Sequence, residues 1–412
     1  MSSRDDAIRA DAADPLGRLR DHFELPRGVI YLDGNSLGAL SANVADRLAG
    51  VVRDEWGAEL IRAWTSHDWW GAPPRIGNRV GRLLGAAPGQ VMVGESTSVQ
   101  LFNALAGAGR LRPGRDIVVI DAGHFPTDRY LTDSVAELLG KRVVAVPATD
   151  MAAALAKWSE RTAMLVAPAV DYRTGELWDI AALTAAAHAV GAVTVWDLCH
   201  AVGALPLTLD HVGADIAVGC TYKYLGGGPG APAFIYVAHR HQADFAPPLT
   251  GWHGHAAPFD MSPSFRPAAG IDRMRIGTPH VLSLLALDSA LDVFDLVELA
   301  EIRAKSLALT DFFLDCVDDL IADGTFELAT PRAHDRRGSQ IALRHPDAYA
   351  MSAALIENNV IGDMRPPNLL RFGFNGLYLS FQDVHRAAAQ LRDIVLSGEY
   401  RRAEFAARRL IT

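Results

Sequence analysis

Six short apolar runs recur through the middle of this 412-residue chain, at Asp116 to Ile120, Arg142 to Val146, Ala163 to Ala167, Ala192 to Trp196, Asp215 to Val218 and Ala233 to Val237. Runs such as DIVVI and AMLVA are continuous, not alternating, so a strand built from them has two faces to hide. That demands a mostly parallel sheet covered by helices on both sides. Met151 to Glu160 and Ile180 to Val190 have helical composition and fall between successive runs, where parallel strands need their crossovers. From about His280 the helix-like stretch VLSLLALDSALDVFDLVELAEIRAKSLALTDFFLDCV leaves the sheet, and SQIALR and LLRFGF follow as short strands before an Arg-rich helical end. The pattern predicts an α/β fold with a smaller C-terminal α+β domain. The expected division is an N-terminal arm over residues 1–45, packed with the small domain, a large domain over 46–285 and a small domain over 286–412.

Hydrophobic residues make up 50% of the chain and charged residues 21%, which suits a large buried core and excludes a disordered or disulfide-held chain. A net charge of -9 argues against a nucleic-acid footprint or an anionic membrane surface. Cys199, Cys220 and Cys316 show no CxxC spacing, which points to a reducing compartment. The N-terminus MSSRDDAIRADAADPLGRLRD lacks the apolar segment of a signal peptide, and no run approaches the ~18 residues of a membrane span. A cytoplasmic protein with a small-molecule partner is expected.

The chemistry gathers in VWDLCHAVGALPLTLDHVGADIAVGCTYKYLGGGPG, Val195 to Gly230. Asp197 closes one strand, His200 follows it, and the next strand delivers Thr221, Tyr222 and Lys223 into a glycine-rich turn. The 26 positions between Asp197 and Lys223 (223 − 197) hold one helix, one loop and one strand, so neighbouring strand ends bring the two together. A carboxylate and a lysine so placed suit pyridoxal 5'-phosphate: the carboxylate keeps the pyridine nitrogen protonated and the amine binds the aldehyde. GESTSVQLFNAL contains no Arg or Lys, yet Ser96, Thr97 and Ser98 open an apolar-periodic helix whose N-terminus offers hydroxyls and free N–H groups to a phosphate, or forms an ordinary cap. In DAGHFPTDRY, Phe125 is either a ring stacked on the pyridine or a core aromatic.

YLDGNSLG, STSVQLFN, HFPTDRY, DLCHAVGALPL, ADIAVGCTYKYLGGGPG, GWHGH and RMRIGTPHVLS occur in that order, in a resemblance spanning roughly Tyr31 to Phe381. Together they resemble the kynureninase family, members of the aspartate-aminotransferase-type (fold type I) pyridoxal phosphate enzymes. The resemblance implies a hydrolase acting on carbon–carbon bonds in ketonic substances. Its substrate would be L-kynurenine or 3-hydroxykynurenine, cleaved to anthranilate or 3-hydroxyanthranilate and L-alanine in tryptophan degradation. Lys223 would bind the cofactor aldehyde, and Asp197 would meet the ring nitrogen with His200 in support. Phe125 would stack on the ring, with Asp128 closing its loop, and Thr97 and Ser98 would lie at the phosphate. Tyr222 would bond the phosphate and donate a proton. Trp252 and Thr278 would arrive from the partner subunit of a homodimer with composite active sites. Arg371, in NLLRFGF, would grip the substrate carboxylate with its planar fork, and Ser36 would join it on the substrate side. Trp64, in RAWTSHDWW, either faces the substrate ring or packs with Trp69 and Trp70. His253 and His255 have no carboxylate company, so no metal is expected.

Three rival readings fare worse. A cysteine desulfurase-like lyase wants a mobile catalytic cysteine late in the large domain, whereas Cys316 lies in a helical run, DFFLDCVDDL. A non-catalytic pyridoxal phosphate-binding regulator wants a DNA-binding extension, which neither end supplies. A dinucleotide-binding protein wants glycines that open a helix, but LGGGPGAP precedes a strand. Among 39 basic residues only Lys141, Lys157, Lys223 and Lys305 are lysines. The first two and Lys305 are expected on surface helices or loops. Lys223 alone has a chemical reason not to be arginine, which does not give up its proton.

Overall fold

All six apolar runs are strands in the computed structural model, which describes residues 2–406. A seventh strand precedes them, and along the chain they are β1 (Val91–Val93), β2 (Ile117–Asp121), β3 (Arg142–Val146), β4 (Thr162–Pro168), β5 (Val193–Asp197), β6 (Ile216–Gly219) and β7 (Phe234–Val237). They form one sheet in the order β1-β7-β6-β5-β4-β2-β3. The pairs from β3 across to β6 are parallel, while β7 runs antiparallel to both β6 and β1. Six of these strands are buried almost throughout, as continuous apolar runs require, and β3, one of the two edge strands, is the exception. Helices Met151–Trp158 and Ile180–Ala189 fill the expected crossover positions.

The helix-like stretch after His280 is divided. Val281–Ala290 ends in a 3-10 turn at Leu291–Asp295, and a new helix runs from Leu299 to Ala322. The break has a local cause: Glu298 and Glu301 form a reciprocal cap that starts the second helix afresh, and Arg79 and Arg82 hold Asp295 at 2.7 and 2.6 Å. Beyond it lies a four-stranded antiparallel sheet of β8 (Glu327–Leu328), β9 (Gln340–Arg344), β10 (Asp363–Arg365) and β11 (Leu369–Gly373), ordered β8-β9-β11-β10. The Arg-rich helical end falls mostly beyond residue 406, outside the described residues.

The N-terminal arm returns to this C-terminal region. Ile30 and Tyr31 pair in parallel with Val360 and Ile361. Asp11 accepts the N–H groups of Phe381 and Gln382, at 2.6 and 3.1 Å, at the start of helix Phe381–Ser397. Lys305 corrects the surface expectation: its side chain is buried and its Nζ lies 2.7 Å from an equally buried Asp14 carboxylate. An arm residue far away in sequence supplies the counter-charge that local composition does not reveal.

Candidate active site

Asp197 is the last residue of β5 and pairs in register with Val218 of β6. The chain leaving β6 therefore starts its turn beside Asp197, and Lys223 follows four residues after the strand ends (223 − 219). Hydrogen bonds from Gly226 N–H to Lys223 O and from Gly227 N–H to Thr221 O, both 2.9 Å, close that turn, with Gly226 in the left-handed region at φ 67°. The arm braces it from outside: Gly38 N–H donates to Tyr222 O at 2.7 Å, with no room between Gly38 and the Lys223 backbone for a side chain.

Around the lysine lies a cavity of about 130 Å3 lined by Thr97, Ser98, Phe125, Asp128, Tyr172, Asp197, Cys199, His200, Tyr222 and Lys223, among others. Eight expected residues thus meet in one place. Lys223 Nζ lies 3.0 Å from His200 Nε2. Burial, then the charge of Lys223, hold the His200 pKa well below its ordinary value, so the ring is neutral and accepts from the amine. Asp197 Oδ1 accepts the Cys199 N–H at 2.7 Å. Asp128, buried at the start of helix Pro126–Leu138, is pushed up by burial and then by the charge of Asp197. Phe125 stands edge-on to Tyr172 with ring centroids 5.0 Å apart. Burial, followed by the neighbouring thiols, raises Tyr222, which keeps its proton. At the other end, helix Thr97–Leu111 is capped by Ser96, whose hydroxyl accepts the Val99 N–H at 3.4 Å, and the Thr97 and Ser98 N–H groups have no intrahelical partner.

Arg371 and Ser36 adjoin the cavity through Tyr172. Arg371 is buried; its Nη1 donates to Tyr172 O, its Nη2 to Ser36 Oγ at 3.1 Å, and its Nε to Asp363 Oδ1 at 2.8 Å. Trp252 and Thr278 are exposed and do not line the cavity of their own chain. Neither does Trp64, which packs edge-on against Trp69 at 5.8 Å. Residues that sequence reasoning did not single out are Tyr172, Cys199, Asp363, Gly38 and His124. Burial lowers the His124 pKa to about 4, and it groups with Asp128 and Asp197, their polar atoms within 4.8 Å of one another. A larger space of about 920 Å3 between the arm and helix Phe381–Ser397 contains none of these groups and is walled by charges already paired, such as Asp14 with Lys305 and Arg20 with Asp383.

Residues 302–391 match the family model described as the kynureninase C-terminal domain, and residues 78–232 match the model for Cys/Met metabolism PLP-dependent enzymes. A kynureninase from Deinococcus radiodurans is 49% identical over 391 residues, covering 93% of this chain and 94% of the relative. A kynureninase from Burkholderia pseudomallei is 44% identical, with both chains covered completely. The chain belongs to the kynureninase family. Solved structures share the fold at low identity. A cysteine desulfurase from Thermococcus onnurineus NA1 superposes with a TM-score of 0.79 at 17% identity, covering 92% of this chain and 98% of that one. A C-DES mutant with glycine covalently linked to its PLP cofactor gives 0.79 at 15%, covering 90% and 98%. The fold is PLP fold type I.

The cofactor of kynureninases can be tested against the donor set itself. Asp128 and Asp197 face the same space from neighbouring elements, and Arg is absent from the cavity lining. That end calls for a cation, which a protonated ring nitrogen is. The opposite end offers hydroxyls and the N-terminus of a 15-residue helix, which suit a phosphate dianion. Lys223 lies within the same cavity as an amine for the aldehyde. The residues fit pyridoxal phosphate.

Proposed function

We propose that the protein is a kynureninase, hydrolysing the Cβ–Cγ bond of L-kynurenine to give anthranilate and L-alanine. The observation that carries this reading is the placing of Lys223, Asp197, Phe125 and Tyr222 around one cavity, with Arg371 next to it, in a chain of this family. Bound there, pyridoxal phosphate supplies an aldehyde for the substrate amine and an electron-accepting ring.

The chain's own groups do the rest. Asp197, with Asp128 behind it, favours the proton on the ring nitrogen. Lys223 would hold the aldehyde and, with the substrate amine there in its place, would carry a proton from Cα and back to it, while neutral His200 at 3.0 Å holds the lysine amine in place. Water adds to the γ-carbonyl carbon, which leaves as the anthranilate carboxylate when the Cβ–Cγ bond breaks; Tyr222, still carrying its proton, donates it to Cβ and regains one from the added water. Arg371 and Ser36 fix the α-carboxylate, and Thr97 and Ser98 take the phosphate.

The working unit is a cytoplasmic homodimer. Exposed Trp252, Phe259, Met261 and Phe265 offer it an apolar surface, and Trp252 and Thr278 reach the partner's site. No described helix is long and apolar enough to cross a membrane. The units are an arm over residues 1–45, a large domain over 46–285 and a small domain over 286–412. Incubating the cofactor-loaded protein with L-kynurenine and following anthranilate tests the central reading. Absence of anthranilate and alanine in equal amounts would refute it.

A further inference from the structure

The donors of Arg371 are nearly used up. A guanidinium carries five N–H groups. In Arg371 the Nε–H goes to Asp363 Oδ1, the two Nη2–H groups to Asp363 Oδ2 and Ser36 Oγ, and one Nη1–H to Tyr172 O. One N–H remains, and a carboxylate held in parallel by two needs a second. Strand register brings the nearest candidate. Asp363 of β10 stands opposite Arg371 of β11, and Arg365, two residues on, projects from the same face of β10. Arg365 Nη2 lies 2.7 Å from Asp363 Oδ2 and 3.3 Å from Ser36 Oγ. Its Nε is buried without a partner, and its Nη1 makes no hydrogen bond among the described residues. Arg365 is also the more accessible of the two, its side chain 34% exposed against 1% for Arg371. Both arginines act electrostatically on His200 in the cavity wall.

We propose that Arg365 is a second binding residue for the substrate carboxylate, sharing it with Arg371 while Asp363 and Ser36 hold both guanidinium groups. The proposal rests on the reading of Arg371 above. Local charge agrees with it. Two arginines face Asp363 and Asp33, and burial, then the charge of Asp363, raise Asp33 to about 7, leaving one net positive charge below that pH. One substrate carboxylate balances it.

The test uses the cofactor-loaded enzyme, titrated with the product L-alanine and followed by cofactor absorbance, with ethylamine as the same probe lacking its carboxylate. Arg365→Gln is expected to weaken L-alanine roughly 10- to 100-fold, the effect of losing a charged hydrogen bond. Ethylamine binding should stay unchanged, and KM for L-kynurenine should rise while kcat holds. Arg365→Lys, which keeps the charge, should recover part of the loss. Wild-type L-alanine binding in Arg365→Gln would overturn the proposal, as would equal weakening of L-alanine and ethylamine. Arg371→Gln run alongside separates the two readings. If it alone weakens L-alanine, only the role of Arg365 fails; if neither variant does, the carboxylate is not held here and the role of Arg371 fails too.

Discussion

Gly38 is where the arm bears on the Lys223 turn, and replacing it tests whether that contact sets the position of the lysine. A Cβ at Gly38 would stand 2.3 Å from Lys223 O and 2.7 Å from Gly226 Cα, where real Cβ atoms essentially never come closer than 3.0 Å. Relief therefore needs at least 0.7 Å of movement (3.0 − 2.3), and both opposing atoms are backbone, so no side chain can swing away. Misplacing a reacting group by about 1 Å costs ~100-fold in rate. Gly38→Ala is thus expected to lower kcat/KM for L-kynurenine roughly 10- to 100-fold, with an overpacking penalty on stability of only ~1–3 kcal/mol. Steady-state release of anthranilate measures the first and thermal unfolding the second. Cofactor absorbance should persist, since Lys223 remains. A Gly38→Ala enzyme with wild-type kcat/KM would show that the arm gives way instead of the loop, and the bracing role would be wrong.

Three further outcomes are expected. Lys223→Ala should lose turnover together with the visible absorbance that borohydride traps in the wild type; full turnover in that variant would remove the lysine from the mechanism. Asp33, raised to about 7, stays neutral in the folded protein while its unfolded form ionises near 3.8, so its ionisation subtracts stability as pH climbs between those values. Relative to wild type, Asp33→Asn should gain melting temperature across that window and then level off, and it should flatten any loss of L-alanine affinity above pH 7; a pH-independent difference would refute the assignment. Lys305→Met strands the buried Asp14 carboxylate and should cost ~3–5 kcal/mol in urea unfolding, much of it recovered by adding Asp14→Asn. A single variant as stable as wild type would show that the pair is dispensable.

The strand-edge meeting of Asp197 and Lys223 was legible because it needs only the order of two neighbouring parallel strands. β1 was not, since Val91–Val93 is three residues long and too short for a period. The proposed carboxylate site was half legible. Arg371 stands out in NLLRFGF, but Asp363 and Arg365 join it only through the β10–β11 register, and Asp33 and Ser36 only through the docked arm. His124 is half marked: Asp128 follows it four positions on, but Asp197 joins the two only once the loop after β2 lies beside the end of β5. Lys305 misleads for a related reason: its partner lies 291 positions upstream (305 − 14), and a lysine on a helix reads as solvated until such a partner is known.

The pairing of Ile30 and Tyr31 with Val360 and Ile361 also sets an order of events during synthesis. The strand that accepts the arm is made 330 residues after it (361 − 31). At about 5–20 residues per second, translation of that stretch takes roughly 15–65 s. Through that time the large sheet can close around Lys223, but Ser36 and Gly38 have no docked arm to carry them. A ribosome-bound chain halted before Val360 should therefore contain Lys223 without its brace and without the proposed carboxylate clamp, so competence arrives late and all at once.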